Sequence, residues 1–152
     1  MIRRLIIMRH AKSSWDDSSL ADHDRPLNPR GLRDAPKIAE AIDRFGWAPQ
    51  LILVSSSMRT RQTLDGMAQV LSDIETEIRG GIYHAGLNEL LHELQDILDE
   101  GTTMIIGHNP GSELLINHLS GEWHSMPTAA AALLSESNGV WKVEKVLRPK
   151  EI

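Results

Sequence analysis

Two short apolar runs, each followed by a histidine, constrain the fold of this 152-residue chain most strongly. Residues 5–8 run directly into Arg9 and His10, and residues 104–106 are followed two positions later by His108. Short apolar runs of this kind are typical of strands that are covered on both faces of a parallel sheet. Open α/β sheets bind ligands where their strands end. The two histidines are therefore predicted at the ligand-binding edge of one sheet.

The rest of the chain predicts strands that alternate with helices. Further strands are predicted at 51–54 and 75–78, and a hairpin is predicted at 129–134 and 140–147 around the turn Asn138-Gly139. The predicted helices run from an Asp34 cap to Phe45 with Pro36 in the first turn, from 55–57 to about 71, from an Asn88 cap towards Gly101, and over 111–119. The alternation indicates an α/β fold with a mostly parallel sheet and an antiparallel edge.

The segment between the first strand and its helix, residues 11–33, lacks a clear apolar period. It is rich in turn formers, which predicts a long loop with room for one helical turn. Loops of this length in a compact domain are more often functional than idle.

Length and composition bound the remaining possibilities. The chain has the length of one domain, so a single domain over 1–152 is expected, and its hydrophobic share of 41% is ordinary for a globular protein. No stretch is long and apolar enough to cross a membrane, and the start of the chain lacks the apolar region of a signal peptide. We therefore expect no membrane partner and a cytoplasmic location.

The charge and the absence of cysteine exclude several function classes. With no cysteine there is no thiolate nucleophile and no thiolate metal site. A net charge of -5 and four scattered tryptophans argue against nucleic-acid binding, which favours a basic face or a stacking platform. Any anion site must then be a local cationic pocket on an acidic protein.

Three strand-to-helix junctions each bring chemistry-bearing side chains to the same edge of the predicted sheet. They supply two imidazoles, two guanidinium groups, an amine and a hydroxyl. These residues are Arg9, His10, Lys12, Ser13, Arg59 and His108. Guanidinium groups bind phosphoryl oxygens in pairs, and helix N-termini add backbone N–H donors. The set therefore favours binding phosphate or another oxyanion, with His10 attacking phosphorus and His108 and Ser13 donating hydrogen bonds.

The sequence leaves the roles of two arginines in the long loop open. Arg25 and Arg30 either shape the pocket or pair with Asp22, Asp24 or Asp34.

A metallohydrolase that uses the two histidines is a weaker hypothesis, because no HxH or HExxH pattern is present and guanidinium groups repel a divalent cation. We therefore expect neither a metal nor another cofactor.

Four motifs resemble a known family. Residues 9–16 read RHAKSSWD, residues 55–63 read SSSMRTRQT, and residues 107–111 read GHNPG. These motifs resemble those of the histidine phosphatase superfamily, which includes the cofactor-dependent phosphoglycerate mutases. Residues 23–31, HDRPLNPRG, and the small size are similar to the SixA-type phosphohistidine phosphatases.

The resemblance implies a phosphoglycerate mutase-like, three-layer α/β/α sandwich. It also implies that His10 is the nucleophile and that Arg9, Arg59 and His108 bind the phosphoryl group. From their positions in the chain, we expect Lys12, Ser13 and Arg25 to bind the substrate.

The sequence contains no obvious proton donor for the leaving group. Asp24, His84 and Glu89 are the candidates. Cleavage of a phosphohistidine needs less acid assistance than cleavage of an ester, since imidazole is a less basic leaving group than an alkoxide. The expected partner is therefore a protein carrying phosphohistidine, such as a phosphorelay protein. A small phosphorylated metabolite and a non-catalytic phosphate-binding module remain alternatives.

Overall fold

A computed structural model describes residues 2–152 and contains one six-stranded sheet within that range. Its strands are β1 (Arg3–Arg9), β2 (Leu51–Ser55), β3 (Glu75–Arg79), β4 (Gly101–Gly107), β5 (Ala131–Ser137) and β6 (Val140–Leu147). Its helices are α1 (Pro29–Arg44), α2 (Met58–Met67), α3 (Leu87–Glu93) and α4 (Gly111–Ser120). Short 3-10 turns occur at Asp22–Asp24, Gly80–Ile82, Leu94–Asp96 and Pro149–Glu151.

The strands lie in the order β3-β2-β4-β1-β5-β6. The pairs β3–β2, β2–β4 and β4–β1 are parallel, and the pairs β1–β5 and β5–β6 are antiparallel. This arrangement confirms the predicted α/β fold with a mostly parallel sheet and an antiparallel edge, and it includes the predicted hairpin.

Helices cover both faces of the sheet, because successive side chains of a strand point to opposite faces. In β1, Ile6 and Met8 pack into a core beneath α1 and α2, whereas Leu5 and Ile7 pack into a second core with Leu115 of α4. All four β1 side chains are essentially inaccessible to solvent. The two cores make the fold the three-layer α/β/α sandwich that the resemblance implies.

The register of the central strands determines where the site lies. Arg9 at the end of β1 pairs with Gly107 at the end of β4, and Val54 near the end of β2 pairs with Ile106. The three strands therefore end side by side, and the residues that follow them meet at one edge.

The start of α1 differs from the sequence prediction. The helix begins at Pro29 and is capped by Asn28, whose side chain accepts a hydrogen bond from the Gly31 N–H. The prediction of Asp34 as the cap was wrong, and Pro36 consequently lies inside the helix and not in its first turn. A capping Asn followed by Pro is a strong helix start, and it shortens the predicted loop at 11–33 by five residues.

Other helix and strand ends also shift. The helix α1 ends at Arg44, one residue before the exposed Phe45, and α2 ends at Met67, short of residue 71. The helix α3 begins at Leu87 after Gly86, so Asn88 is not its cap, and its regular turns end at Glu93. The strand β4 starts at Gly101, three residues before the predicted run, because Thr102 and Thr103 are buried with the apolar residues.

Among residues 2–152, no helix combines the length and the apolar composition that crossing a membrane requires.

Candidate active site

A cavity of about 240 Å³ opens at the edge where β1, β2 and β4 end. Four cationic side chains and one carboxylate line it, on a chain of net charge -5. The lining residues are Arg9, His10, Lys12, Ser13, Trp15, Asp22, Arg25, Arg59, His84, His108, Asn109 and Thr128. The structure thus brings together all seven of the site residues that were predicted from the sequence.

His10 is held in one orientation by the backbone around it. Its Nδ1 atom lies 2.7 Å from the carbonyl oxygen of Ala11, and its backbone N–H donates to the Gly107 carbonyl at the end of β4. A carbonyl oxygen only accepts, so Nδ1 carries the proton and Nε2 keeps its lone pair. The N–H of Ala11 donates in turn to the hydroxyl of Thr63 on α2, 2.9 Å away, which fixes the loop that holds the ring.

The surroundings of His10 favour its neutral form. The ring is only 7% exposed, and burial lowers its pKa to about 4, with a further lowering by the guanidinium groups of Arg59 and Arg9. A neutral imidazole with a free Nε2 lone pair is the state that a nucleophile requires.

His108 lies beside His10 in the same cavity. The centroids of the two rings are 5.3 Å apart, and His108 Nε2 lies 2.8 Å from the Ser55 hydroxyl at the end of β2. Burial, followed by the neighbouring His10, lowers the pKa of His108 to about 3. Its Nδ1 atom is buried and has no hydrogen-bond partner among residues 2–152.

Two guanidinium groups flank the rings. Arg59, 4% exposed in the first turn of α2, donates to the backbone carbonyl of Asp22 at 2.8 Å and to its carboxylate at 3.0 Å. Arg9 donates to the carbonyl of Met126 at 3.1 Å. The Nε atom of Arg9 is buried without a partner among the described residues. Arg9 therefore keeps hydrogen-bonding capacity for an anion.

Asp22 joins several cavity residues, and sequence reasoning did not assign it to the site. Its carboxylate accepts from the Tyr83 hydroxyl at 2.5 Å, and it lies 3.1 Å from both Arg25 and His84. The Tyr83 hydrogen bond, followed by Arg59, holds the pKa of this carboxyl well below its usual range. The one available signal was the Asp22–Arg25 spacing, which allowed a local ion pair.

The remaining residues that were predicted to bind substrate also line the cavity. Arg25 is buried, and its guanidinium donates to the Ser13 hydroxyl, so Ser13 is held by a cation. Lys12 lines the cavity, and its carbonyl accepts from the N–H of Asn28. Arg30 instead pairs with Asp34 at 3.5 Å and does not line the cavity.

The structure separates the three candidate proton donors. His84 lines the cavity, whereas Asp24 and Glu89 are exposed and do not. Trp15, Asn109 and Thr128 also line it, and sequence reasoning did not assign them to the site, although Trp15 and Asn109 lie within the motifs quoted above.

Comparison of the chain with known proteins shows the family to which it belongs. The sequence model of the histidine phosphatase superfamily (branch 1) matches residues 5–90, which include both the β1 and the α2 motifs. The chain belongs to the histidine phosphatase superfamily. An uncharacterized chloroplastic protein of Arabidopsis thaliana is 42% identical over 92% of this chain and 69% of its own length. An uncharacterized protein of Mycobacterium tuberculosis is 36% identical over 71% of this chain and 66% of its own length.

Solved structures within the superfamily share the whole architecture. The candidate phosphohistidine phosphatase SixA of Agrobacterium tumefaciens is 28% identical, with a TM-score of 0.87 over 96% of this chain and 97% of its own. The candidate SixA protein of Nakamurella multipartitia is 25% identical, with a TM-score of 0.87 over 98% and 97%. These matches confirm the SixA-type resemblance.

Proposed function

We propose that this histidine phosphatase superfamily member is a metal-independent phosphatase that acts through a covalent phosphohistidine on His10. The observation that carries the proposal is the hydrogen bond that His10 Nδ1–H donates to the Ala11 carbonyl, which leaves the Nε2 lone pair free in a cavity lined by four cations. A non-catalytic phosphate-binding module would need the cations but not a neutral imidazole with a fixed tautomer.

The reaction has two steps. The lone pair of His10 Nε2 forms a bond to phosphorus, while the bond from phosphorus to the leaving group breaks and the leaving group keeps its electron pair. A water molecule then attacks phosphorus, the P–N bond breaks, and inorganic phosphate leaves with His10 neutral again.

The cationic lining stabilises the transferring group. Its charge is spread over three equatorial oxygens, and Arg9, Arg59 and His108 are the residues to bind them. A bound phosphoryl group adds negative charge beside His108, which raises the pKa of this ring from its low value and favours donation from it.

The substrate that the site favours is phosphohistidine on a protein. The one carboxyl that lines the cavity, Asp22, has a lowered pKa and so is a poor proton donor to a leaving group. Imidazole leaves with less acid assistance than an alkoxide, which suits such a site. The similarity to SixA-type structures supports the same substrate class.

A small phosphomonoester is the second candidate, and one observation favours it. His84 lies at the cavity and 3.1 Å from Asp22, and its imidazole is the candidate proton donor to an alkoxide leaving group. A cytoplasmic location and a single domain over 1–152 stay predictions from the sequence.

A substrate panel tests the proposal. The protein would be given a phosphohistidine-containing phosphotransfer protein, a phosphoserine peptide and a sugar phosphate, with chelator present throughout. We expect the highest kcat/KM for the phosphohistidine protein and full activity in chelator. Preference for either ester would favour the second candidate, and phosphate binding without turnover on any substrate would contradict the enzyme proposal.

A further inference from the structure

Trp15 is placed unusually for a large aromatic residue. Its side chain lines the catalytic cavity, yet 72% of the residue is exposed to solvent. An exposed indole at the edge of a pocket leaves apolar surface in water, and such surface at a site commonly marks a contact for a ligand. The chemistry assigned to the cavity does not use this ring.

One face of the indole is occupied by a cation. The guanidinium carbon of Arg25 lies 3.4 Å from the centroid of the Trp15 ring, which is cation–π stacking distance. Arg25 is itself 7% exposed and has every nitrogen engaged, by the Ser14 carbonyl, by Asp22 and by the Ser13 hydroxyl. Arg25 is therefore held in place, and it supports the indole of Trp15 at the edge of the cavity.

With one face against Arg25, the high exposure of Trp15 belongs to its other face and its edges. We propose that this free face is the leaving-group subsite, where the imidazole ring of a phosphohistidine substrate stacks while its phosphoryl group lies between His10 and the cations. The proposal rests on the proposed function and adds the residue that selects the substrate class. A planar ring gains stacking on the indole, whereas an aliphatic leaving group such as serine or acetate does not.

Two small substrates separate the leaving group from the rest of a protein partner. Phosphoimidazole carries the ring, and acetyl phosphate carries a small aliphatic group. The variants are Trp15→Ala and Trp15→Phe, and the matched control is Trp123→Ala, because Trp123 is 65% exposed and does not line the cavity.

We expect Trp15→Ala to raise KM for phosphoimidazole about 2- to 12-fold, the range that corresponds to an aromatic stacking pair. The ring stays stacked in both ground and transition states, so kcat should change little. Trp15→Phe should restore most of the loss, and Trp123→Ala should leave both substrates unchanged. Acetyl phosphate kinetics and inhibition by inorganic phosphate should be the same in all variants.

Four results would overturn the subsite. An equal loss on acetyl phosphate, or weaker inhibition by inorganic phosphate in Trp15→Ala, would mean that Trp15 acts only by holding Arg25. Unchanged phosphoimidazole kinetics in Trp15→Ala would mean that the indole does not bind the leaving group, and this result would leave the proposed function intact. Failure of the unaltered protein to hydrolyse phosphoimidazole, with turnover of an ester, would instead overturn the proposed substrate class and the subsite with it.

Discussion

The Nδ1 atom of His10 lies 2.7 Å from the carbonyl oxygen of Ala11, and this contact determines which ring nitrogen can react. Because the carbonyl can only accept, Nε2 is left with its lone pair. Burial and the neighbouring guanidinium groups keep the ring neutral, with a pKa of about 4. Neutral His10 with a free Nε2 lone pair is therefore the reactive state of the site.

The fall of kcat/KM at acid pH should follow the protonation of His10. The parameter kcat/KM depends on the free enzyme, and the reaction needs neutral His10. We expect kcat/KM for acetyl phosphate to hold between pH 7 and pH 5 and to fall as the pH approaches 4, where His10 takes up a proton. A fall centred near pH 6.5, the ordinary value for histidine, would contradict the neutral, buried state.

The same depressed pKa values make folding stability depend on pH. Between the folded values, about 4 for His10 and about 3 for His108, and the unfolded value near 6.5, the unfolded chain binds more protons. The free energy of unfolding should therefore fall as pH falls, by about 2 kcal/mol per histidine between pH 7 and pH 5.

Urea unfolding at the two pH values measures this loss. The double variant H10Q/H108Q should show much less of it, since glutamine does not titrate. An equal loss in the double variant would assign the pH dependence to other groups. The stabilisation that comes from the lowered pKa of Asp22 stays constant over this interval, because it is lost only at lower pH, where the carboxyl takes up a proton.

Arg59 should contribute more to turnover than any surface arginine. Arg59→Ala removes a buried guanidinium from beside the phosphoryl position, and we expect kcat to fall at least about 100-fold. Arg30→Ala is the matched control, because Arg30 lies outside the cavity and pairs with Asp34. Comparable losses in both variants would mean that the cavity does not bind the reacting group.

Asp22 should influence phosphate binding and turnover in opposite directions. Its carboxylate neutralises Arg59 and also holds that side chain in place. We expect Asp22→Asn to bind inorganic phosphate more tightly, because one negative charge is removed, and to lower kcat about 10-fold, because the guanidinium is less well oriented. Inhibition constants and single-turnover rates measure the two effects, and weaker phosphate binding would contradict this role.

Gly31 permits the close approach of α1 to the catalytic loop. A Cβ at this position would lie 2.2 Å from the backbone oxygen of Lys12, which cannot move without shifting the loop after His10. We expect Gly31→Ala to lower the free energy of unfolding by about 1–3 kcal/mol and to reduce kcat. Gly80→Ala, which meets nothing within 4 Å, should be nearly neutral in both urea unfolding and kinetics.

The sequence was sufficient for the parts of the site that follow strands. Parallel neighbours end at the same edge, so the residues after β1, β2 and β4 converge whatever the loops do. This is why Arg9, His10, Arg59 and His108 could be placed together although 98 positions separate the histidines.

The sequence did not predict the parts of the structure whose positions depend on loops and helix caps. Asp22 and Trp15 lie in a segment without periodicity, and their places depend on contacts with Tyr83 and Arg25 that no local pattern encodes. The start of α1 was placed wrongly because Asp34 was taken as the cap, whereas the helix begins six residues earlier, after Asn28. The Asn28 side chain satisfies the Gly31 N–H, which selects the earlier start.

Direct trapping of the phosphorylated enzyme tests the central claim that His10 forms a covalent bond to phosphorus. The protein would be mixed briefly with a labelled phosphoryl donor, denatured in alkali and digested for mass spectrometry. We expect an acid-labile, base-stable phosphoryl group on His10 that is absent from His10→Ala and still formed by Trp123→Ala. Label retained in His10→Ala, or located on His108 or His84, would contradict it.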